Sequence, residues 1–129
     1  MSEFEILGAG VPLASGMCRE PEDGKVDYLL VRDGPIFKRW AQLLTRAIPV
    51  RGRRNWMLAN SEDDLERFRR SACRHFEQWL AGDDDEDHAA AVVFNVNGVE
   101  YVRDLLRVQA EGGEAATKSE PTRNSNNSC

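Results

Sequence analysis

The sequence predicts an all-α fold: a small helical bundle built on an antiparallel helical hairpin, with an extended N-terminal segment and completion by oligomerisation. Three observations carry that expectation. Apolar residues recur at spacings of three and four in two segments and fill the start of a third almost all round. Start and stop signals bracket the middle segment. The connection from second to third is so short that the two helices must be antiparallel neighbours. With 129 residues the chain suffices for one domain and not two.

Residues 1–22 hold Gly, Pro and small residues without a period and read as an irregular N-terminal segment. Lys25 to Val31 reads as a short strand or an extended stretch packed on the helices. Asp33-Gly34-Pro35 is a turn that also starts a helix, because proline is tolerated where its missing N–H is not needed. The first helix is expected from about Pro35 to Ala47, with Ile36, Phe37, Trp40, Leu43, Leu44 and Ala47 on one buried stripe and Pro49 and Gly52 ending it. Arg51 to Asn60 is then an exposed basic connection around Trp56.

The second helix carries the strongest signals. Ser61 is an N-cap, Asp64 stands where a capping box has its acid, and Glu62 and Asp63 suit the positive end of the dipole. Leu65, Phe68, Ala72, Phe76 and Trp79 mark its apolar face, and Gly82 closes it. The third helix is expected to begin within Asp83–Asp87 and to continue to about Val108, with Ala89 to Phe94 its most buried part. Gly98 weakens its interior by about 1 kcal/mol relative to Ala and permits close packing. The helical domain thus spans 23–108. From 109 to 129, Gly, Glu, Thr, Ser and Asn dominate without periodicity and predict a tail lacking order.

Composition narrows the function classes. No apolar run spans a bilayer, and the opening Met1-Ser2-Glu3-Phe4-Glu5 is acidic, so a cytoplasmic location is expected. The three cysteines, Cys18, Cys73 and Cys129, are odd in number and not at metal-ligand spacing. A disulfide scaffold and a thiolate zinc site are both disfavoured, and Cys73 reads as a buried thiol packing as a small hydrophobe. Residues 38–75 carry ten basic against four acidic side chains, whereas 83–129 carry four against ten. A cationic face beside carboxylates suits an anion that arrives with a divalent metal, although most such charges are simply solvated. The acidic total and the lack of a recognition helix argue against nucleic acid as a partner.

The chemistry converges on the turn between the second and third helices. An antiparallel pairing brings His75 toward His88 and the Asp83–Asp87 acids, and Asn95 lies two helical turns beyond His88. Carboxylates are the hard ligands that Mg²⁺ or Mn²⁺ requires, and imidazole completes a transition-metal site or serves as acid or base. Asp84, Asp85, Asp87 and His88 are the candidate metal ligands, with His75, His88 and Asp87 the candidate catalytic groups. Arg70 and Arg74 stand ready to pair with phosphate oxygens. Asn95, in a run of Ala, Val and Phe, needs a partner, which the acids or His75 could supply. The ordinary reading stands beside this one: a solvated, dipole-compensating turn and hydrogen-bonded helix histidines. Trp56 either stacks on a base while Arg54 holds a phosphate or pins its loop onto the helices.

Asp23-Gly24-Lys25 leading to Tyr28-Leu29-Leu30, then Arg54-Asn55-Trp56, then Arg74-His75 with Trp79 and Gly82, then acids with His88 and Asn95, occur in that order. The series resembles the phage dATP/dGTP diphosphohydrolase family, small helical proteins grouped with MazG-like nucleotide pyrophosphohydrolases, over about residues 22–106. The resemblance implies Mg²⁺- or Mn²⁺-dependent cleavage of a purine deoxynucleoside triphosphate to the monophosphate and pyrophosphate, in phage nucleotide metabolism and the host cytoplasm. It implies substrate contacts from Lys25, Arg54, Asn55, Trp56 and Asn95, beside the phosphate-binding Arg70 and Arg74. The Glu-x-x-Glu pair of MazG-like enzymes is not matched, since the second helix is basic after Glu66 and Glu100 and Asp104 stand four apart. Trp40, Trp56, Trp79 and Phe94 exceed what three helices can bury, so a homodimer or tetramer is expected. The contrasting reading is a non-enzymatic phage protein whose helical surface binds a host, virion or nucleotide partner.

Overall fold

The computed structural model describes residues 10–115, which are mainly helical. An N-terminal unit ends at Leu30 and a helical unit begins at Val31. In the first, strands β1 (Val11–Pro12) and β2 (Cys18–Arg19) pair antiparallel, with Val11 opposite Arg19 and Pro12 opposite Cys18. The reversal is closed by the Leu13 N–H on the Met17 carbonyl at 2.8 Å and the Gly16 N–H on the Leu13 carbonyl at 2.9 Å. The segment expected to be irregular therefore holds a small hairpin. The extended stretch expected over Lys25–Val31 is instead a turn of 3-10 helix, Tyr28–Arg32. Asp27 starts it: its carboxylate accepts the Leu29 N–H at 3.0 Å, a local bond that competes with extended backbone.

Helix α1 (Pro35–Arg51) begins at its proline and outruns the expected end by four residues. Pro49 is inside its last turn, where the missing N–H forfeits one helical bond and the Gly52 N–H still closes on the Ile48 carbonyl at 2.8 Å. No α1 residue is fully buried. Trp40, Leu43, Leu44 and Ala47 are half-covered, and Phe37, expected in the buried stripe, is exposed with the Arg32 guanidinium 5.2 Å above its ring. The connection that follows forms a short 3-10 turn, Asn55–Leu58. Trp56 there meets Tyr101 edge to face at 5.0 Å, and the Tyr101 hydroxyl donates to the Met57 carbonyl at 3.2 Å.

Helix α2 (Glu62–Ala81) has the ends its sequence announces. Ser61 Oγ accepts the Asp64 N–H at 3.2 Å, and the Asp64 carboxylate accepts the Asn60 N–H at 3.0 Å. At the far end Gly82 takes φ 82°, which a side chain would resist, and the Asp83 N–H bonds back to the Gln78 carbonyl at 3.0 Å. Cys73 is exposed on this helix, contrary to expectation, because the face toward α3 is taken by its neighbours Ala72 and His75.

Helix α3 (His88–Ala115) starts later than the acid run suggests. Asp87 is the residue that caps it: its Oδ1 accepts the Ala90 N–H at 3.1 Å and its carbonyl accepts the Ala91 N–H at 3.0 Å. An aspartate is worth more as a cap than as a helical residue, so the four acids before it form the loop. At its other end α3 passes Val108 and reaches Ala115, with Arg107 paired to Glu111 at 3.2 Å. Residues 109–115 of the expected tail are thus helical, and 116–129 lie outside the described residues.

Leu65, Val99 and Val102 form the apolar core, with Phe68, Tyr101 and Leu106 packed around them. Gly98 lets the helices approach: a Cβ there would stand 2.7–2.8 Å from atoms of the Phe68 ring. Phe68 faces Gly98 and His75 faces His88, so α2 and α3 run in opposite senses past each other. Among the described residues no helix is long and apolar enough to cross a membrane.

Candidate metal centre

The register that seats Phe68 on Gly98 brings His75, two turns further along α2, to the first residue of α3. His75 and His88 are both buried, and their Nδ1 atoms stand 2.9 Å apart. His88 Nε2 lies 2.7 Å from Asp85 Oδ1. A carboxylate only accepts, so His88 carries a proton on Nε2, and in the neutral pair its Nδ1 lone pair accepts from the His75 Nδ1–H. Glu86 Oε1 is 3.8 Å from His75 Nδ1. The ligand atoms of His75, Glu86 and His88 all fall within 4.8 Å of one another, and this group could hold a metal ion.

Burial, more than any other influence, pushes the His75 pKa down, against the opposing pull of Glu86. The shift favours the neutral ring, the form in which imidazole binds metal. The Asp85 carboxyl is lowered first by its hydrogen bond with His88. A carboxylate on the outer nitrogen of an imidazole whose other nitrogen faces inward is the arrangement by which outer carboxylates orient metal-binding histidines.

A cleft of about 670 Å³ opens beside this pair. Asp83, Asp84 and Glu86 line its acidic side, while Arg39 and Arg46, two turns apart on α1, line the other. Trp79 stands at its edge, 53% exposed. Asp87 also borders the cleft, but its carboxylate is already engaged. Arg39 grips it with Nε at 2.8 Å and Nη2 at 2.5 Å, and this hydrogen-bonded pair, with help from the Ala90 N–H, lowers the Asp87 pKa to about 2. Asp87 thereby ties α1 to the N-terminus of α3, a structural duty distinct from the catalytic and ligand roles expected for it.

The other expected residues divide. Asp84 reaches the cleft, and Asp85 sits behind His88 and touches its outer nitrogen. Asn95 is buried but bonds to the Ala91 carbonyl of its own helix at 2.8 Å, not to the acids or His75. The i−4 carbonyl is within reach on the same helix, and it takes one of the two N–H donors of the amide's NH₂. Arg70 and Arg74 are exposed on α2 and do not line the cleft, and Arg74 donates to Ser71 Oγ at 3.3 Å. Arg54, Asn55 and Trp56 gather near Tyr101, which is thirteen positions beyond His88 and so about 20 Å along the α3 axis. The edge contact of Trp56 with Tyr101 is the kind that pins a loop onto a helix. Lys25 belongs to the N-terminal unit.

Arg39, Arg46 and Trp79 of the cleft carry no site role in the reading of the sequence, and Asp83 and Glu86 belong there only to the collective acid run. Arg39 and Arg46 are seven apart on a predicted helix, a spacing that puts two cations on one face and that could have singled them out. Searches against family models, curated proteins and solved structures find no match, so the site's chemistry rests on its own geometry.

Proposed function

We propose that the chain is a metal-dependent hydrolase of nucleoside triphosphates, releasing pyrophosphate and a monophosphate. The observation that supports it most is the cleft that gathers Glu86 and His88 with two arginines and a half-exposed indole, with His75 in contact with His88 outside the cleft lining. A metal in that corner would polarise a phosphoryl oxygen and supply a nucleophilic water at neutral pH. Arg46, and Arg39 from its place beside Asp87, would offset phosphate charge, and the Trp79 face would receive a base. A purine deoxynucleotide, Mg²⁺ or Mn²⁺, and a cytoplasmic setting come from the resemblance to the phage diphosphohydrolases. Self-association belongs to the same reading: Phe76, Trp79 and Leu80 stand exposed along the end of α2, and α1 is covered only in part.

The direct test is pyrophosphate release from each dNTP and NTP with Mg²⁺, Mn²⁺, Zn²⁺ or EDTA. Metal-dependent release that His88→Ala abolishes supports the hydrolase, and no release by folded protein refutes it. The second reading, a non-enzymatic partner-binding protein, draws on the same exposed Phe76–Trp79–Leu80 surface and predicts no metal-dependent turnover.

A further inference from the structure

The geometry points to a transition-metal site of the zinc class, ligated by His75 Nδ1, His88 Nδ1 and Glu86, with Asp85 as the positioning residue behind His88. It rests on the reading of the cleft as a metal site and not on the reaction. Two neutral imidazole nitrogens and one carboxylate oxygen are a borderline donor set, which favours Zn²⁺, Co²⁺ or Mn²⁺ over Mg²⁺. Two histidines and a glutamate with a fourth position open are a recurrent arrangement for hydrolytic zinc.

The distances fit with small adjustment. Bonds of about 2.0–2.1 Å at tetrahedral angles hold two nitrogens about 3.3 Å apart. The imidazoles now stand 2.9 Å apart, joined by a hydrogen bond, and must part by about 0.4 Å. Glu86 Oε1, at 3.8 Å from His75 Nδ1 and within 4.8 Å of the His88 ligand atom, must approach by about 0.5–1.5 Å, and it is on an exposed loop that permits this. His75 moves its proton from Nδ1 to Nε2 on binding, so both nitrogens facing the metal become lone pairs. His88 needs no such change, because Asp85 already holds its proton on Nε2. The hydrogen bond between the two rings keeps the buried nitrogens satisfied until the metal replaces it.

The test uses the full chain and Co²⁺ as the probe. One Co²⁺ per chain with the intense visible bands of a tetrahedral N₂O site is expected, competed by Zn²⁺ and not by millimolar Mg²⁺. Glu86→Gln, on the exposed loop, should weaken binding about tenfold, and Asp85→Asn about 10–100-fold through the ring it orients. His75→Ala and His88→Ala should weaken it by about 100-fold or more. Since both histidines are buried, a measurement on the unaltered protein guards against misfolded variants. Long-range ¹H–¹⁵N spectra with Zn²⁺ should move Nδ1 of both rings into the metal-bound range and leave both Nε2 atoms protonated. Weak octahedral absorption displaced by Mg²⁺, coordination through Nε2, or no bound Co²⁺ overturns the assignment. A chain that binds Co²⁺ this way yet releases no pyrophosphate refutes the hydrolase and keeps the site. One that hydrolyses nucleotides with Mg²⁺ alone, its histidines unshifted, does the reverse.

Discussion

Replacing Asp87 separates two duties that one carboxylate performs. Asp87→Asn removes the charge that Arg39 grips but keeps an oxygen for the Ala90 N–H, because asparagine caps helices as well as aspartate does. Asp87→Ala removes both. The fall of the Asp87 pKa from 3.8 to about 2 corresponds to about 2.5 kcal/mol if taken whole. The paired side chains are 40% and 22% exposed, and solvent screening reduces this to about 1 kcal/mol. Losing the cap adds about 1 kcal/mol more. Urea unfolding at pH 7 should therefore rank wild type above Asp87→Asn above Asp87→Ala, in steps of about 1 kcal/mol each. The sign with pH follows from a depressed carboxyl: the extra stability is present above the unfolded value near 3.8 and disappears as pH falls toward about 2. The gap between wild type and Asp87→Asn should close over that window. Equal losses for the two variants at pH 7, or a gap that persists at the acid end, would refute the division of duties. Co²⁺ binding should stay within a few-fold in Asp87→Asn, and its disappearance would make Asp87 a ligand.

Gly98→Ala should destabilise by about 1–3 kcal/mol despite alanine's better helix propensity, because the new Cβ meets the Phe68 ring, itself held against Phe94, at under 3 Å. Phe68→Leu in the same chain should recover part of that loss in thermal unfolding, and no recovery would place the strain elsewhere. Trp56→Ala should cost about 2–3 kcal/mol by uncoupling its loop from Tyr101, while leaving the nucleotide KM within about twofold. A large rise in KM with little loss of stability would restore Trp56 as a substrate contact. Ser61→Ala should lower stability by about 1 kcal/mol through the Asp64 N–H it leaves without its cap, and unchanged unfolding would show water replacing it fully.

Local chemistry was legible where an element's ends depend on its own residues. Ser61, Asp64 and Gly82 delimit α2 because the bonds that close a helix reach only three or four residues. Pro35 opens α1 for the same reason. The ends that escaped depended on a choice between local alternatives of similar energy. Asp87 capped α3 where any of five acids might have, and the Arg39 side chain, 48 residues earlier, is what held that aspartate in place.

The site divides along the same line. That His75, His88 and the acids belong to one turn followed from a short connection between two helices, which constrains neighbours whatever else the chain does. The face each helix turns inward did not follow. Periodicity placed Phe76 inside with Leu65 and Phe68, but in the structure His75 is buried and Phe76 exposed. A small rotation about the helix axis that keeps Leu65 and Phe68 inside and exchanges Phe76 for His75 is invisible to an apolar pattern that tolerates both, and the Phe68–Gly98 contact decides it. The same rotation turns Arg70 and Arg74 outward, and α1 then brings Arg39 and Arg46 to the cleft in their place. Sequence alone thus determined which helices exist and which turn gathers the ionisable groups, because both are set by interactions within a few residues. Which histidine nitrogens converge, which acid is spent on an arginine, and which cations border the cleft were decided by packing between distant segments, where a single close contact fixes register and rotation together.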